Sequence, residues 1–252
     1  MPDEIESAPD PYRLLADRYD WMVSRNEQRE RFLDGVLREA GANEILDCAC
    51  GTGGDLVLLS RLGFWVHGSD LSAAMLDRAA FQLQRNGLDL PLKRADFRTL
   101  HGAFPRTFDA VLCLTNSINE VLDDEDALSA LRSMHFVLRS KGVLILDQGQ
   151  TDRSMRDPPT FAPVVNERDF SRLFTMTYER DVMTVRIFDF VHTDEERSFH
   201  RSEVKIKIRL RDFWERTARG AGFEHIRFCG SWRGEPYSRT ESDRLIMIAR
   251  KA

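Results

Sequence analysis

Two rhythms of apolar residues divide the chain. Over residues 11–23, PYRLLADRYDWMV, and again over 27–41, EQRERFLDGVLREAG, apolar positions recur every three or four residues, the spacing of a helix with one buried face. The second run stops on Gly41. Short apolar runs and helical stretches then alternate. EILDCA (44–49) is predicted as a strand feeding a helix over 53–62, and FWVHGSD (64–70) as a strand followed by a helix over 72–87, with Ser72 as N-cap and Gly87 as its stop. LKRADF (92–97) and FDAVLCLT (108–115) read as strands three and four, DEDALSALRSMHFVLRSKG (124–142) as a helix, and VLILDQ (143–148) as strand five.

Strands separated by single helices make right-handed βαβ units, so the predicted fold is α/β with a doubly wound, mostly parallel sheet. Past Gln150 the pattern turns to strict alternation, in RLFTMTYE, VMTVRIFDFVH and RSFHRSEVKIKIRL, with breaks at Asp181 and Asp194. That is an antiparallel β segment inserted into the parallel domain. A helical stretch, RDFWERTARGAG (211–222), and two last strands, HIRFCGS and RLIMIARK, bring the main sheet to seven strands. Four regions follow: a helical lid over 1–43, a ligand-binding core over 44–150, an antiparallel cap over 151–210, and a return to the core over 211–252.

With 42% hydrophobic and 31% charged residues in 252, the composition is that of a globular domain with a full core. Net charge is −5 and no Lys/Arg cluster stands out, which argues against nucleic acid as a partner, because phosphate neutralisation needs a basic face. The four cysteines, Cys48, Cys50, Cys113 and Cys229, form no CxxC pair and have no zinc spacing. They read as reduced thiols in a cytoplasmic protein without a metal, with Cys48, Cys113 and Cys229 as small core residues. No apolar run approaches the roughly 18 residues that cross a bilayer, and MPDEIESAPD, acidic and Pro-bearing, is the opposite of a signal peptide and is expected to be a frayed tail.

In a doubly wound sheet ligands bind beyond the carboxyl ends of the strands. That directs attention to 47–53, Asp70, Asp96, 114–119 and 147–150. The first stretch, LDCACGTGGD, is glycine-rich, yet Leu56 stands at the third small position of a dinucleotide fingerprint, and no Gly-Lys-Ser/Thr follows as in a phosphate loop. Asp47 at the mouth of strand one would repel a pyrophosphate. A ligand with a positive centre and no phosphates turns that repulsion into attraction. S-adenosylmethionine, with its sulfonium and ammonium, is such a ligand. Gly51 and Gly53 let the backbone come close to it. Asp70, nineteen residues past Gly51, ends strand two where an acid can accept from both ribose hydroxyls. Asp96 is placed to accept from the adenine amine and Phe97 to stack on the base, or else Asp96 caps a turn and Phe97 belongs to the core.

ILDCACGTG, GSDLSAAML, ADF, FDAVLCLTNSIN and GVLILD stand in the order and spacing of the class I S-adenosylmethionine-dependent methyltransferases, over about residues 19–150. Within that class the chain most resembles the glycine and glycine/sarcosine N-methyltransferases. The resemblance implies S-adenosylmethionine as methyl donor, S-adenosylhomocysteine as product and a Rossmann-like fold. It also implies cofactor contacts from Tyr19, Trp21, Arg25, Asp47, Ala49, Gly51, Thr52, Gly53, Asp70, Leu71, Met75, Asp96, Phe97 and Leu114. Arg25 takes the position that binds the methionine carboxylate, and Tyr19 and Trp21 that of aromatics closing over the cofactor. Asn116 corresponds to the asparagine that points at the acceptor. Asn119, Gln148, Arg153 and Tyr237 complete the expected acceptor side, with Asn116 and Tyr237 as the candidates for catalysis. In one respect the pattern departs. Where the glycine methyltransferases read like DHRNYD after strand five, with the arginine on the acceptor's carboxylate, this chain reads DQGQTD, and Gly149 takes the arginine's place.

The expected activity is therefore methyl transfer to nitrogen of a small-molecule amine or amino-acid-like acceptor. Transfer to a hydroxyl of a natural product or sugar is the alternative, and a non-catalytic cofactor-binding regulator a third reading. No histidine or lysine stands where a hydroxyl acceptor would need a base, which favours nitrogen. His192 and His200 read as surface strand residues. A membrane partner is not expected, and the assembly is expected to be a monomer or a homodimer.

Overall fold

The computed structural model describes residues 10, 12, 13, 15–23 and 26–252. A 3-10 turn, Ala16–Met22, precedes α1 (Glu27–Glu39), β1 (Glu44–Asp47), α2 (Gly54–Arg61), β2 (Trp65–Asp70), α3 (Ala73–Arg85), β3 (Leu92–Arg94), the short α4 (Leu100–Ala103) and β4 (Phe108–Cys113). A 3-10 turn over Ser117–Glu120 leads to α5 (Asp124–Phe136) and β5 (Leu138–Gln148). Four further strands follow: β6 (Phe161–Asn166), β7 (Phe170–Glu179), β8 (Val182–His192) and β9 (Arg197–Lys207). The chain closes with α6 (Arg211–Gly220), β10 (Phe223–Cys229) and β11 (Leu245–Lys251).

The main sheet has seven strands in the order β10-β11-β5-β4-β1-β2-β3. β11 runs antiparallel to both of its neighbours, and β1 to β5 are parallel. The order reverses at β1, so the crevice between β1 and β4 is the topological switch point. Both faces are covered. Leu33, Leu37, Leu59 and Val66 belong to one buried cluster, and Phe108, Leu131, Met134 and Trp214 to the other.

The second sheet, β6-β7-β8-β9, is antiparallel throughout. It has one strand more than the alternation predicted, because β6, FAPVVN, carries a proline and a register shift and shows no clean period of two. The buried face of this sheet, Met176, Met183, Val185, Ile187 and Ile206, packs around Leu15 and Tyr12. Beneath it Arg172, fully buried, pairs with Asp189 through Nε and Nη2, both at 2.6 Å, and gives its Nη1 to the Arg18 carbonyl at 3.0 Å. The N-terminal segment is thus strapped between the two sheets.

Two expected helices are shorter or different. The first is a 3-10 turn broken at Arg18 (φ −121°, ψ 18°) rather than an α-helix, because its residues are held by contacts to both sheets instead of by their own ladder. The helix expected over 124–142 ends at Phe136, and β5 begins at Leu138, five residues earlier than the apolar run suggested. Val137 and Leu138 are buried in either geometry, so periodicity does not separate them. The register with β4 shifts between its Phe108 and Ala110 partners, and Lys141 turns with φ +64°.

Candidate active site

The glycine loop leaves β1 at Asp47 and enters α2 at Gly54. Gly51 (φ +52°) and Gly53 (φ +80°) both take left-handed backbone, which favours glycine. A Cβ on Gly53 would stand 3.0 Å from that of Ala79, so the glycine also lets α2 pack on α3. Leu56 is explained from the opposite side: a Cβ on Gly68 of β2 would lie 2.6 Å from its Cδ1. The small residue that lets helix approach strand is therefore on the strand.

Asp70, at the end of β2, accepts from the Gly51 N–H at 2.8 Å and from the Ser72 N–H at 2.9 Å. Burial raises its pKa against these hydrogen bonds. Ser72 caps α3 by accepting from the Met75 N–H at 3.1 Å, and Met75 is 2% exposed beneath the loop. Asp47 is buried and accepts from the Ala49 N–H at 3.2 Å; burial and the charge of Asp55 push it up to about 8 against the pull of that hydrogen bond and of Arg29. Among the described residues neither Asp47 nor Asp70 has a cationic partner in ion-pair contact. Two acids facing one loop, one buried and one half-buried and neither in an ion pair among the described residues, disfavour an anion and favour a cation. Their chemistry fits a sulfonium and ammonium ligand with a ribose, and does not fit a pyrophosphate.

The N-terminal strap closes over this loop. Tyr19 lies 3.8 Å from where a Gly51 Cβ would be, edge-on to Tyr12 at 6.0 Å between ring centroids. Thr52, fully buried, donates to Asp20 at 2.7 Å, and the other Asp20 oxygen accepts from Gln82 at 2.6 Å. Trp21, expected beside Tyr19, is turned away: it packs edge-on against Phe170 of the second sheet, 53% exposed. Arg25 lies outside the described residues. Leu71 is 57% exposed on the rim, and Ala49 is half-buried against the core.

Asp96 does cap a turn. It accepts from the Arg98 N–H at 2.8 Å and is gripped by the Arg98 guanidinium at 2.6–3.1 Å. Burial works against its charge, but these bonds hold it below the usual carboxylate range. Phe97 packs on the core cluster that includes Leu100 and Phe104. Both features of the turn-and-core alternative are thus present, at the strand end where adenine was expected.

Beyond β4 the chain does something costly. Thr115 (φ +60°) and Asn116 (φ +68°) are consecutive left-handed residues, and Thr115 is β-branched. Asp147 holds them. Its Oδ1 accepts from the Thr115 N–H at 2.7 Å and its carbonyl from the Asn116 N–H at 3.1 Å, while Arg244 anchors Oδ2 at 2.8 Å. Asn116 in turn accepts from the Gly149 N–H at 2.7 Å, which leaves its NH₂ without a partner among the described residues. Leu114 is buried directly before this turn.

The remaining acceptor-side expectations separate. Gln148 is fully buried and saturated: it accepts from Asn119 at 2.9 Å and Trp214 at 2.7 Å, and donates to the carbonyls of Gln150 and Arg209. It is a structural clasp. Asn119 shares that network through its NH₂, but its buried Oδ1 has no hydrogen-bond partner among the described residues. Tyr237 spends its hydroxyl on Asp152, accepting from its N–H at 2.9 Å and donating to its carboxylate at 2.8 Å, and burial pushes its pKa up to about 12. Arg153 is an exposed partner of Asp243.

Sequence reasoning missed Arg29, Asp55, Arg244 and Glu120. Arg29 and Asp55 form a buried pair behind the loop, with Trp232 packed against both Arg29 and Arg244. Asp55 was in view as the acid closing LDCACGTGGD, but its partner lies 26 residues upstream, beyond any local pattern. Glu120 accepts a hydrogen bond from the Tyr12 hydroxyl.

Residues 45–142 match the family described as a methyltransferase domain. Those residues therefore carry a methyltransferase domain, and the chain resembles the class I S-adenosylmethionine-dependent methyltransferases in sequence and fold. The chain is 36% identical over 142 residues to the glycine/sarcosine N-methyltransferase of Parasynechococcus marenigrum (strain WH8102), a match covering 55% of this chain and 50% of that relative. The chain thus matches about half the length of that curated relative. A crystal structure of an S-adenosylmethionine-dependent methyltransferase from Clostridium acetobutylicum ATCC 824 shares the fold with a TM-score of 0.83 at 19% identity, covering 96% of this chain and 100% of that one. The sugar N-methyltransferase KedS8 from Streptoalloteichus sp. ATCC 53650 superposes with a TM-score of 0.77 at 22% identity, covering 100% and 96%.

Proposed function

We propose that this methyltransferase moves a methyl group from S-adenosylmethionine to a nitrogen of a small-molecule amine. The observation that carries the reading is the pair of acids on either side of the Gly51 turn, Asp47 buried and Asp70 half-buried, neither in ion-pair contact with a cation among the described residues. The donor supplies an electrophilic methyl on a sulfonium. Asp47 would receive its ammonium and Asp70 its ribose hydroxyls, while Gly51 and Gly53 bring backbone close, and Met75, Leu71, Phe97 and Leu114 line the apolar sides. Asp96 is already held by Arg98, so it would offer the adenine amine only an oxygen shared with that pair. Tyr19 and the strap exclude water, leaving the chain the task of holding nucleophile and methyl carbon in line. The Asn116 NH₂, aimed by the strained turn, is the acceptor-side donor. Gln148, Tyr237 and Arg153 are committed elsewhere and support the site rather than touch the acceptor.

The acceptor class follows from Gly149. Without an arginine there, an acceptor need not carry a carboxylate, and amines without one, amino sugars among them, suit the site. Calorimetric titration with S-adenosylmethionine and NADH tests the donor; binding of NADH alone would sink the reading. Methyl-labelled donor offered to a panel of amines, amino acids, amino sugars and phenols tests the acceptor, and label found only on phenols would replace nitrogen by oxygen.

A further inference from the structure

Glu120 ends the 3-10 turn Ser117–Glu120 that Asn116 precedes, so it sits beyond the carboxyl end of β4 beside the strained turn. Its side chain is half-buried under the strap, where the Tyr12 hydroxyl donates to Oε1. The charged groups around it come from three directions. Tyr12 reaches it from the strap, and Asp70 repels it from the end of β2. On the side where the end of β9 packs, Arg209 is drawn away to the carbonyls of Val121 and Asp123 and the carboxylate of Asp124. No lysine or arginine pairs with Glu120 among the described residues. Burial and Asp70 raise its pKa, and the Tyr12 hydroxyl pulls against them, with the balance at about 7. The neighbouring Asn119 Oδ1, which is buried, has no donor among the described residues. A half-buried acid with a hydroxyl for company and no cation among the described residues is incomplete on its own.

Resting on the methyltransferase reading above, we propose that Glu120 is the acceptor-side carboxylate, which binds the amine as its ammonium ion and takes one N–H proton from it. The proton moves from nitrogen to the Glu120 carboxylate, restoring the nitrogen lone pair. That pair forms the N–C bond as the C–S bond breaks, its electrons leaving on sulfur, which becomes a neutral thioether. The methylated nitrogen departs as an ammonium, and Glu120 returns its proton to water. Tyr12 holds the carboxylate in place and favours its ionised form. A carboxyl balanced near neutrality is suited to this exchange, since both of its states are within reach at working pH.

The test uses dimethylammonium chloride, which stays a cation throughout, titrated by NMR into the full chain saturated with S-adenosylhomocysteine. Wild-type protein is expected to bind it at pH 8 and to lose at least tenfold in affinity by pH 5.5. Glu120→Gln should weaken binding at pH 8 by tenfold or more while S-adenosylhomocysteine affinity stays within twofold. Tyr12→Phe, which leaves the carboxylate in place, should shift the midpoint of the pH dependence upward. Equal dimethylammonium binding by Glu120→Gln, or none by the wild type at pH 8, overturns the assignment of Glu120. Failure of the wild type to bind S-adenosylhomocysteine, with the ammonium pattern intact, instead overturns the methyltransferase function and the transfer step with it.

Discussion

The Asp70 carboxylate accepts from the Gly51 N–H at 2.8 Å, so the acid expected to hold a ribose also fastens the loop expected to hold the methionine tail. One side chain therefore couples the two halves of the donor site. Asp70→Asn places an amide donor near backbone N–H groups that need acceptors. Hydrogen bonds to a charged group contribute roughly 1.5–3 kcal/mol, so S-adenosylmethionine affinity is expected to fall by about 10- to 100-fold. Calorimetry on folded protein checks this; unchanged affinity would remove the ribose assignment.

Asp47 sets stability against binding. Its folded pKa, about 8, lies above the ordinary carboxylate value, so the folded state holds a proton that the unfolded state has lost. Stability from this group is full at pH below the unfolded value and falls as pH rises through the window from about 4 to 8. Asp47→Asn removes the cost, and thermal unfolding without ligand at pH 8 should show a gain of about 1 kcal/mol or more. The same change should weaken S-adenosylmethionine binding, because the ammonium loses its counter-charge. A variant that binds the donor as tightly as wild type would show that Asp47 has no such partner.

Thr115 carries strain that glycine would not. Residues with side chains in the left-handed region cost of order 1 kcal/mol or more, and β-branching worsens it. Thr115→Gly is expected to be neutral or stabilising in denaturant melts. Methyl transfer should still drop, since a looser turn no longer aims the Asn116 NH₂. A large loss of stability would mean that the Thr115 side chain makes contacts outweighing its backbone strain.

Below the strap, Arg172 and Asp189 form a pair with no exposure to spare. Asp189→Ala would leave a buried guanidinium without its counter-ion, a change that costs about 3–5 kcal/mol. Because Arg172 also donates to the Arg18 carbonyl, proteolysis within residues 15–23 should speed up alongside the drop in melting temperature.

How much of this was legible in the chain depends on how local each signal is. The parallel core was readable because each strand and helix announces itself within ten or so residues, and Asp47 and Asp70 end their own strands. The expected N-cap at Ser72 and the stop at Gly87 likewise depend on residues adjacent in sequence, and the structure has both. What local pattern missed depends on distance. Gln148 looked like an acceptor contact until Asn119, Trp214 and Arg209 were brought around it, and Glu120 looked like nothing until Tyr12, 108 residues upstream, was placed on it. Trp21 and Tyr19, two residues apart, were expected to act together. In the structure Tyr19 lies over the Gly51 loop, while Trp21 packs on Phe170 of the second sheet.

Gly149 offers the most direct route to altering the acceptor. Its φ is not in the left-handed region, and a Cβ there would meet only the Asn116 amide, at 3.9 Å, an ordinary contact. A side chain is therefore admissible without backbone strain, which is why the glycine reads as a statement about the acceptor and not about the turn. Gly149→Arg puts a guanidinium where the similar glycine methyltransferases carry theirs, beside Asn116 and at the mouth of the same crevice. An arginine clamps a carboxylate through two parallel hydrogen bonds, so the variant should gain transfer to sarcosine and glycine relative to amines lacking a carboxylate. The expected change is at least tenfold in that ratio, read with methyl-labelled donor and both acceptors in one tube, with melting temperature held within a few degrees. If the fold survives and the ratio does not move, the space beside Gly149 does not face the acceptor, and the reading of an amine without a carboxylate loses its structural basis.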